Sequence, residues 1–380
     1  MKKVKKLNKL KELINKLCPN GVEYKNIQEL CKISRGKVMS KDFIKSNAGE
    51  YPVYSSQTEN NGELGKISTY DFDGEYLTWT TDGANAGSVF YRKGKFSVTN
   101  VCGLLEVKNK VMIPKFLYYV LSIEAPKYVN AGMGNPKLMS NVMAKIKVPV
   151  PPLEVQCEIV HILDDFTLLS AELSAELKAR KKQYEYYKKT LFENKNIELK
   201  TLKELATNCD NKRKPITSGN REKGEYPYYG ASGIVDYVKG YIFDGDYLLI
   251  SEDGANLVAR KTPIAFSISG KNWVNNHAHV LKFSNMYLQK YVEMYLNYIN
   301  IEQYISGAAQ PKLNQVNLNK IVIPIPNNDT LKNIVDILLK FDKITNDISE
   351  GLPAEIEARQ KQYEYYRDKL LTFKELKVNE

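Results

Sequence analysis

The segment ARKKQYEYYKKTLF at 179–192 returns as ARQKQYEYYRDKLL at 358–371, and this return limits the folds open to the chain. Further matches precede it in the same order. VEYKNIQEL (22–30) answers IELKTLKEL (197–205), and EYPVY (50–54) answers EYPYY (225–229). FDGEYL (72–77) matches FDGDYL (243–248), and DGAN (82–85) matches DGAN (253–256). NPKL (135–138) matches QPKL (310–313), and KIKVPVP (145–151) matches KIVIPIP (320–326). The offset is 175 at residue 22, 171 at residue 72, 175 at residue 135 and 179 at residue 179. Chance does not supply so many ordered matches. The chain is a tandem duplication of a unit of about 175–180 residues, far longer than a solenoid repeat of roughly 20–50 residues. Each copy is therefore a domain plus a helix.

The domain part, 22–150 in the first copy and 197–326 in the second, is rich in Gly, Asn, Asp and Tyr around short apolar stretches such as YLTWT (76–80) and YLLIS (247–251). Short strands bounded by turn residues are predicted there. Helices are predicted at 114–124 and 287–300, which makes each domain α+β. The proline-rich VPVPP (148–152) and IPIP (323–326) close the two domains, because proline forces extended backbone. The remaining segments, 151–196 and 327–380, read as long helices. Ile159, Ile162, Phe166, Leu169, Leu173, Leu177, Tyr184, Tyr187 and Leu191 recur at steps of mainly three and four, the spacing of a coiled-coil seam. Ile334, Ile337, Phe341, Ile344, Ile348, Leu352, Tyr363, Tyr366 and Leu370 repeat the pattern. The second copy carries four extra residues around Gly351–Pro353, the size of a stutter, and Gly with Pro predicts a break there. Residues 1–21 add a short amphipathic helix through Val4, Leu7, Leu10, Ile14 and Leu17.

The charge balance is +11, with 55 Lys and Arg against 44 Asp and Glu, which favours a polyanionic partner. No apolar run reaches the roughly 20 residues of a membrane span, and the Lys-rich start lacks the features of a secretory signal. Five scattered cysteines without a CxxC pair read as reduced thiols in a cytoplasmic protein.

Catalytic signals are weak. GELGK at 62–66 has the wrong spacing for a phosphate loop, and DGANAG at 82–87 is no dinucleotide fingerprint. NPKL lacks the second proline and the aromatic residue of amino-methyltransferase motifs. His277 and His279 have no cysteine cluster near them, so no zinc site is expected, and His161 falls in the heptad helix. Asp82 and Asp253 recur, but inside DGAN, a turn whose Gly and Asn suit positive φ. No catalytic and no metal-ligating residue is assigned.

Several segments together resemble the specificity subunit of type I restriction-modification systems. They are LCPNGVEYKNIQEL (17–30), DGANAG with FSVTNVCGLL (82–87, 96–105), NPKL with KVPVPPLEVQ (135–138, 147–156), and the two long-helix copies at 171–192 and 350–371. The resemblance covers nearly the whole chain. It implies two target-recognition domains, each reading half of a bipartite, asymmetric site in double-stranded DNA. It implies two conserved helices packed as an antiparallel coiled coil that spaces the domains with pseudo-twofold symmetry. It also implies docking of two modification (methyltransferase) subunits and of restriction (translocase-nuclease) subunits. S-adenosylmethionine, ATP and Mg²⁺ are then expected on those partners and no cofactor on this chain, which is a non-catalytic DNA reader. The same architecture serves other bipartite-site restriction systems whose partner fuses methyltransferase and nuclease. A self-sufficient methyltransferase or nuclease, and a coiled-coil scaffold without a DNA role, are the readings from other classes.

Basic loops early in each domain supply Arg35, Lys37, Lys212, Arg213 and Lys214 for phosphate contact, with one arginine per domain placed to read guanine. The polar loops at 55–62 and 230–233 offer Gln57, Asn60 and Ser232. The DGAN loops offer Thr81, Asn85, Ser251 and Asn256, followed by Arg92 and Arg260 as clamps on backbone or base. Of the repeated tyrosines, Tyr184 and Tyr187 with Tyr363 and Tyr366 share the heptad face and are expected to pack there. Tyr186 and Tyr365 point elsewhere and suit a partner interface, to which the whole set of six is assigned.

Overall fold

The structure, a computed structural model, describes residues 2–108, 110–193, 197–307 and 309–376. Residue 1, 194–196 and 377–380, which fall at the ends of the segments drawn from sequence, lie outside the described residues, as does the side chain of Val4. The long helices are α1 (Lys2–Leu17), α2 (Pro114–Glu124), α3 (Leu153–Phe192), α4 (Met286–Tyr298), α5 (Asn328–Asn346) and α6 (Leu352–Leu371). Among the described residues no helix is long and apolar enough to cross a membrane. The chain forms two compact units, Met1–Ser174 with Glu355–Glu380, and Ala175–Ala354. These units cut across the chain-order divisions, because each takes one end of α3.

The first unit opens with β1 (Glu23–Asn26), antiparallel to β8 (Lys147–Val150), so the chain enters and leaves the domain on one ladder. A capping box follows at once: Glu29 Oε2 accepts from the Asn26 amide at 2.7 Å, and the next helical turn starts there. Between them lies a six-stranded sheet of β2 (Cys31–Arg35), β3 (Ala48–Tyr54), β4 (Glu63–Ile67), β5 (Phe72–Thr80), β6 (Val89–Val98) and β7 (Cys102–Val107), in the order β2-β7-β5-β6-β3-β4. Residues 32–35, expected as a loop, are strand: the alternation of Lys32, Ile33, Ser34 and Arg35 puts Ile33 against the core. Pro114 starts α2 at a position where its missing N–H costs nothing.

The second unit repeats the plan. β9 (Glu198–Thr201) pairs with β18 (Val322–Ile325), and Glu204 caps Thr201 at 2.7 Å as Glu29 caps Asn26. Here the sheet is divided. β10 (Ala206–Asn208), β14 (Tyr247–Ser251), β15 (Ala265–Ile268) and β17 (Ala278–Phe283) run in the order β10-β17-β14-β15. β11 (Lys223–Gly230), β12 (Gly233–Val238), β13 (Phe243–Asp244) and β16 (Lys271–Val274) form the other sheet. The division falls at Gly245 and Gly270, both at positive φ, where the first unit's Gly74 and Gly94 face each other within a continuous ladder. Asn285 and Asn327 cap α4 and α5 by accepting from the amides of Leu288 and Thr330.

In both units the domain core is continuous with helix. In the first, Leu77, Trp79, Phe116 and Leu138 pack with Ile159, Leu163, Phe166 and Leu370. In the second, Leu248, Ile250, Tyr291 and Leu313 pack with Ile334, Leu338, Tyr184 and Phe192. One aromatic contact recurs. Phe166 stacks on Tyr366 with ring centroids 5.5 Å apart and lies 6.4 Å from Tyr363; Phe341 lies 5.3 Å from Tyr187 and stacks on Tyr184 at 5.9 Å. The repeated Tyr-x-x-Tyr thus grips the phenylalanine that the other repeat carries.

The expected break is present: the helix stops at Asn346 and α6 starts at Leu352, whereas α3 runs unbroken. Gly351 is needed there, since a Cβ would stand 2.5 Å from the Lys343 carbonyl oxygen. The expected seam is incomplete in the second copy, where Ile337, Ile344 and Ile348 are exposed. In the first unit α1 covers the corresponding face. Its Leu10 is buried, and Lys6 and Lys9 pair with Asp165 and Glu158 at 2.5 and 2.7 Å. In the second unit Asn333 and Lys340 replace those two acids. The C-terminal segment closes the first unit: Val22 N–H donates to Lys374 O, and Leu376 N–H donates to Val22 O, both at 2.9 Å.

Candidate nucleic-acid interface

In each unit the loops at one end of the sheet converge on the DGAN turn. Gly83 donates to Pro136 O at 3.0 Å and Leu138 to Thr81 O at 2.9 Å; Gly254 donates to Pro311 O at 3.1 Å and Leu313 to Glu252 O at 2.8 Å. The turn is thereby laced to the Pro-Lys-Leu segment in both copies. Gly83 and Gly254 hold the positive φ of the turn, while Asn85 and Asn256 do not, so asparagine's part differs from that expected. The Asn85 amide donates to Thr58 Oγ1 at 3.0 Å, and Asn256 exchanges two hydrogen bonds with the Thr262 backbone.

In the first unit the Val101 carbonyl accepts from the hydroxyls of Ser56 and Thr81, drawing loops 55–58, 81–85 and 99–101 together. Arg35 is exposed and its Nε donates to Ser140 Oγ at 3.3 Å; Lys37 is exposed and pairs with Asp71. Asn60 is exposed at φ 47°, and Gln57 donates to Glu63 O at 2.6 Å. Two assignments fail here. Thr81 is buried and its hydroxyl is committed to Val101 O at 2.7 Å. Arg92 is 2% exposed, lies 3.6 Å over the Tyr54 ring and donates to Thr78 Oγ1 at 3.1 Å. Burial pushes this guanidinium below its usual range, partly countered by Tyr54. Its guanidinium is engaged within the unit, between the Tyr54 ring and Thr78.

In the second unit Lys212, Lys214 and Ser232 are exposed, as a phosphate or base contact requires. Ser251 is not: it is buried and donates to Ala231 O at 2.5 Å. Arg260 takes a left-handed backbone and caps α4 through the carbonyls of Leu296 and Ile299, so it is occupied within the fold. Arg213 is likewise occupied, by Glu252 Oε2 at 2.6 Å and Ala278 O at 2.8 Å.

Arg213 belongs to an ion network at the base of the loops. His279 is buried, with Nδ1 at 2.6 Å from Asp210 Oδ2 and Nε2 at 2.7 Å from Leu313 O. Burial alone would raise the Asp210 carboxyl, but the His279 hydrogen bond and charge, Asn208 and the Val280 amide outweigh it and hold it low. Glu252 is held low against burial in the same way by Arg213, His279 and Lys312. Both nitrogens of His279 thus face oxygen atoms, which fixes the ring within the network. Sequence reasoning weighed His277 and His279 only as zinc ligands. It also passed over Asn100 and Asn276, which are exposed on the same loop of each unit. The signal was there, in the aligned VTNV (98–101) and VNNH (274–277). Among the described residues no group of side chains is arranged to hold a metal ion.

The tyrosines divide. Tyr184 is buried, Tyr187, Tyr363 and Tyr366 are half-buried against phenylalanine, and Tyr186 and Tyr365 are 66% and 60% exposed. Of the six assigned to a partner interface, the four that grip Phe166 and Phe341 are packing residues.

The family described as type I restriction modification DNA specificity domain matches residues 19–180 and again 194–358. A putative type I specificity subunit of Mycoplasma pneumoniae is 35% identical over 362 residues, covering 90% of this chain and 96% of that protein. Another from the same organism, an N-terminal portion, is 54% identical over 178 residues, covering 45% of this chain and 95% of that protein. Among solved structures, the S subunit of a type I restriction-modification system from M. genitalium aligns with a TM-score of 0.62 at 16% identity, covering 92% of this chain and 96% of that one. The HsdS subunit from Thermoanaerobacter tengcongensis aligns with a TM-score of 0.50 at 14% identity, covering 93% and 97%.

Proposed function

The chain belongs to the type I restriction-modification DNA specificity family, and from that premise we propose that each unit reads one half of a bipartite, asymmetric site in duplex DNA. One observation carries the reading. Both units lace a DGAN turn to a Pro-Lys-Leu segment with the same two backbone bonds, yet the side chains around that frame differ. A conserved frame with divergent surface is what two readers of unlike sequences require, since base edges are distinguished by side chains and not by fold. Arg35, at the end of β2, and Lys37, Lys212 and Lys214, which follow β2 and β10, supply phosphate contacts, consistent with the net charge of +11.

In this reading the chain performs no chemistry. Two modification subunits dock on the long helices through Tyr186, Tyr365 and their surroundings, and restriction subunits join that core. S-adenosylmethionine, ATP and Mg²⁺ belong to those partners. The test is methylation-sensitive sequencing of a genome in a host that expresses this chain with its modification subunit. One bipartite adenine-methylated motif with a fixed spacer is expected, lost when the chain is deleted. Methylation that persists without the chain, or a motif of one uninterrupted block, would refute the proposal.

A further inference from the structure

The second unit carries an open cleft of about 630 Å³ beside the DGAN turn, with Arg221, Ser232, Asn256, Asn275, Asn276 and His277 in its wall. His277 lies in that wall together with the Tyr228 ring, and its side chain is 52% exposed. Its Nδ1 lies 2.8 Å from Asp253 Oδ2 and 3.1 Å from Oδ1. A carboxylate only accepts, so Nδ1 carries the hydrogen and the ring is held at one angle. The backbone is held as well. His277 N–H donates to Asn275 Oδ1 at 2.8 Å, its carbonyl accepts from the Glu252 amide at 2.9 Å, and buried Asn275 donates to Tyr229 O at 3.0 Å. Among the described residues Nε2 has no hydrogen-bond partner. A ring oriented by a second group and presenting one open nitrogen to a cleft has the form of a recognition element.

The first unit has the aspartate without the ring. Cys102 pairs with Thr80 as Ala278 pairs with Ser251, so Val101 stands where His277 stands. Asp82 occupies the place of Asp253, with its Oδ1 3.2 Å from Thr81 Oγ1. The two units therefore differ in hydrogen-bonding capacity at this place of the matched loop, as they do where Thr99 answers Asn275.

We infer that His277, positioned by Asp253, reads one base pair of the half-site contacted by the second unit, through Nε2 on a base edge. This rests on the DNA-reading function proposed above and assigns a residue to it. The test uses the complex of this chain with its modification subunit and a random-sequence duplex pool, with the bound fraction sequenced. The wild-type complex is expected to enrich a bipartite motif. His277→Ala lowers the preference at one position of one half about tenfold and leaves the other half and the spacing as they were. His277→Gln, which keeps a hydrogen-bonding side chain, changes the preferred base at that same position. A wild-type complex that enriches no bipartite motif overturns the recognition function, and this assignment with it. A wild-type bipartite motif that His277→Ala weakens evenly, or leaves unchanged, overturns the assignment alone, because the ring is then on phosphate or on nothing. Loss of all enrichment in His277→Ala, with an unaltered motif in His277→Gln, makes the residue structural and also overturns it.

Discussion

Trp79 and His279 do one job from opposite members of a strand pair: each donates a ring N–H to the carbonyl of the leucine after Pro-Lys, Leu138 at 2.9 Å and Leu313 at 2.7 Å. Trp79 on β5 faces Gly103 on β7, and Ile250 on β14 faces His279 on β17, so the donor has changed strand between the copies. Gly103 follows from the indole, because a Cβ there would stand 2.3 Å from the Trp79 ring. Gly103→Ala should therefore destabilise the first unit by about 1–3 kcal/mol, the usual cost of overpacking. In a Trp79→Ile background the same change should cost clearly less, since the ring is gone. Urea unfolding of the four proteins of this cycle measures the coupling; simple additivity would show that the glycine does not depend on the indole.

Moving the donor to a histidine changes how the second unit responds to acid. Asp210 and Glu252 are held below their unfolded values, so folding disfavours their protonation. Their contribution is fully present above about pH 4, the unfolded carboxylate range, and is lost as the pH falls through their lower folded values. The first unit has Arg35 and Thr81 at the corresponding places. Acid should loosen the second unit first. Each unit holds one tryptophan, Trp79 and Trp273, so fluorescence of the wild type against Trp273→Phe separates them. Trp273 is expected to respond at higher pH than Trp79, and His279→Ala, which takes one hydrogen-bond partner from Asp210 and the donor from the Leu313 carbonyl, should destabilise by about 2–3 kcal/mol at neutral pH. Coincident acid transitions would refute the expectation.

The repeat made the architecture legible, because matched offsets locate domains, closing prolines and helices without any contact being known. The break at Gly351 was legible too, as an insertion containing Gly and Pro. Local polarity did not reveal which polar residues stay inside. Thr81, Arg92 and Ser251 look like surface residues in sequence, yet each satisfies a backbone or aromatic partner in the fold. The seam positions Ile337, Ile344 and Ile348 follow the heptad, but whether a helix covers them depends on α1, which has one copy and fits the acids of the first unit.

Gly351 sits where three carbonyl oxygens, of Lys343, Asp347 and Ile344, would lie 2.5–3.1 Å from an added Cβ. Backbone cannot yield as a side-chain tip can. Gly351→Ala is expected to destabilise the second unit by about 1–3 kcal/mol. Gly254→Ala, with nothing within 4 Å but φ +106°, should cost about 1–2 kcal/mol from backbone strain alone. Thermal unfolding distinguishes both from a surface change such as Lys340→Ala, which should alter stability by less than about 0.5 kcal/mol.

Tyr184 and Tyr186 are two residues apart and should fail in opposite ways. Tyr184 is buried on Phe341, and burial pushes its hydroxyl well above the usual tyrosine range. Tyr184→Ala should lower stability by about 3 kcal/mol. The Tyr186→Ala, Tyr365→Ala pair should leave stability within about 0.5 kcal/mol and weaken assembly with the modification subunit, measured by sedimentation of the mixed proteins. Unchanged assembly would remove these tyrosines from the interface.

The arginines and lysines separate by the same logic of occupancy. Lys212 and Lys214 are exposed and form no ion pair among the described residues, so they are free to displace counterions from a phosphate backbone. Lys212→Ala and Lys214→Ala should each reduce the slope of log affinity against log salt by about 1, with the preferred motif unchanged. Arg213 differs, although it lies between them. Its Nη1 bonds Glu252 and Ala278 O, and its Nε bonds Asp210 O at 3.2 Å, so the side chain belongs to the buried network. Arg213→Ala should cost about 3 kcal/mol of stability by leaving Glu252 short of its partner. The salt slope measured on the folded fraction should stay as in the wild type. A lysine change that leaves the slope intact, or an Arg213 change that alters the slope without touching stability, would place the phosphate contact on the other residue.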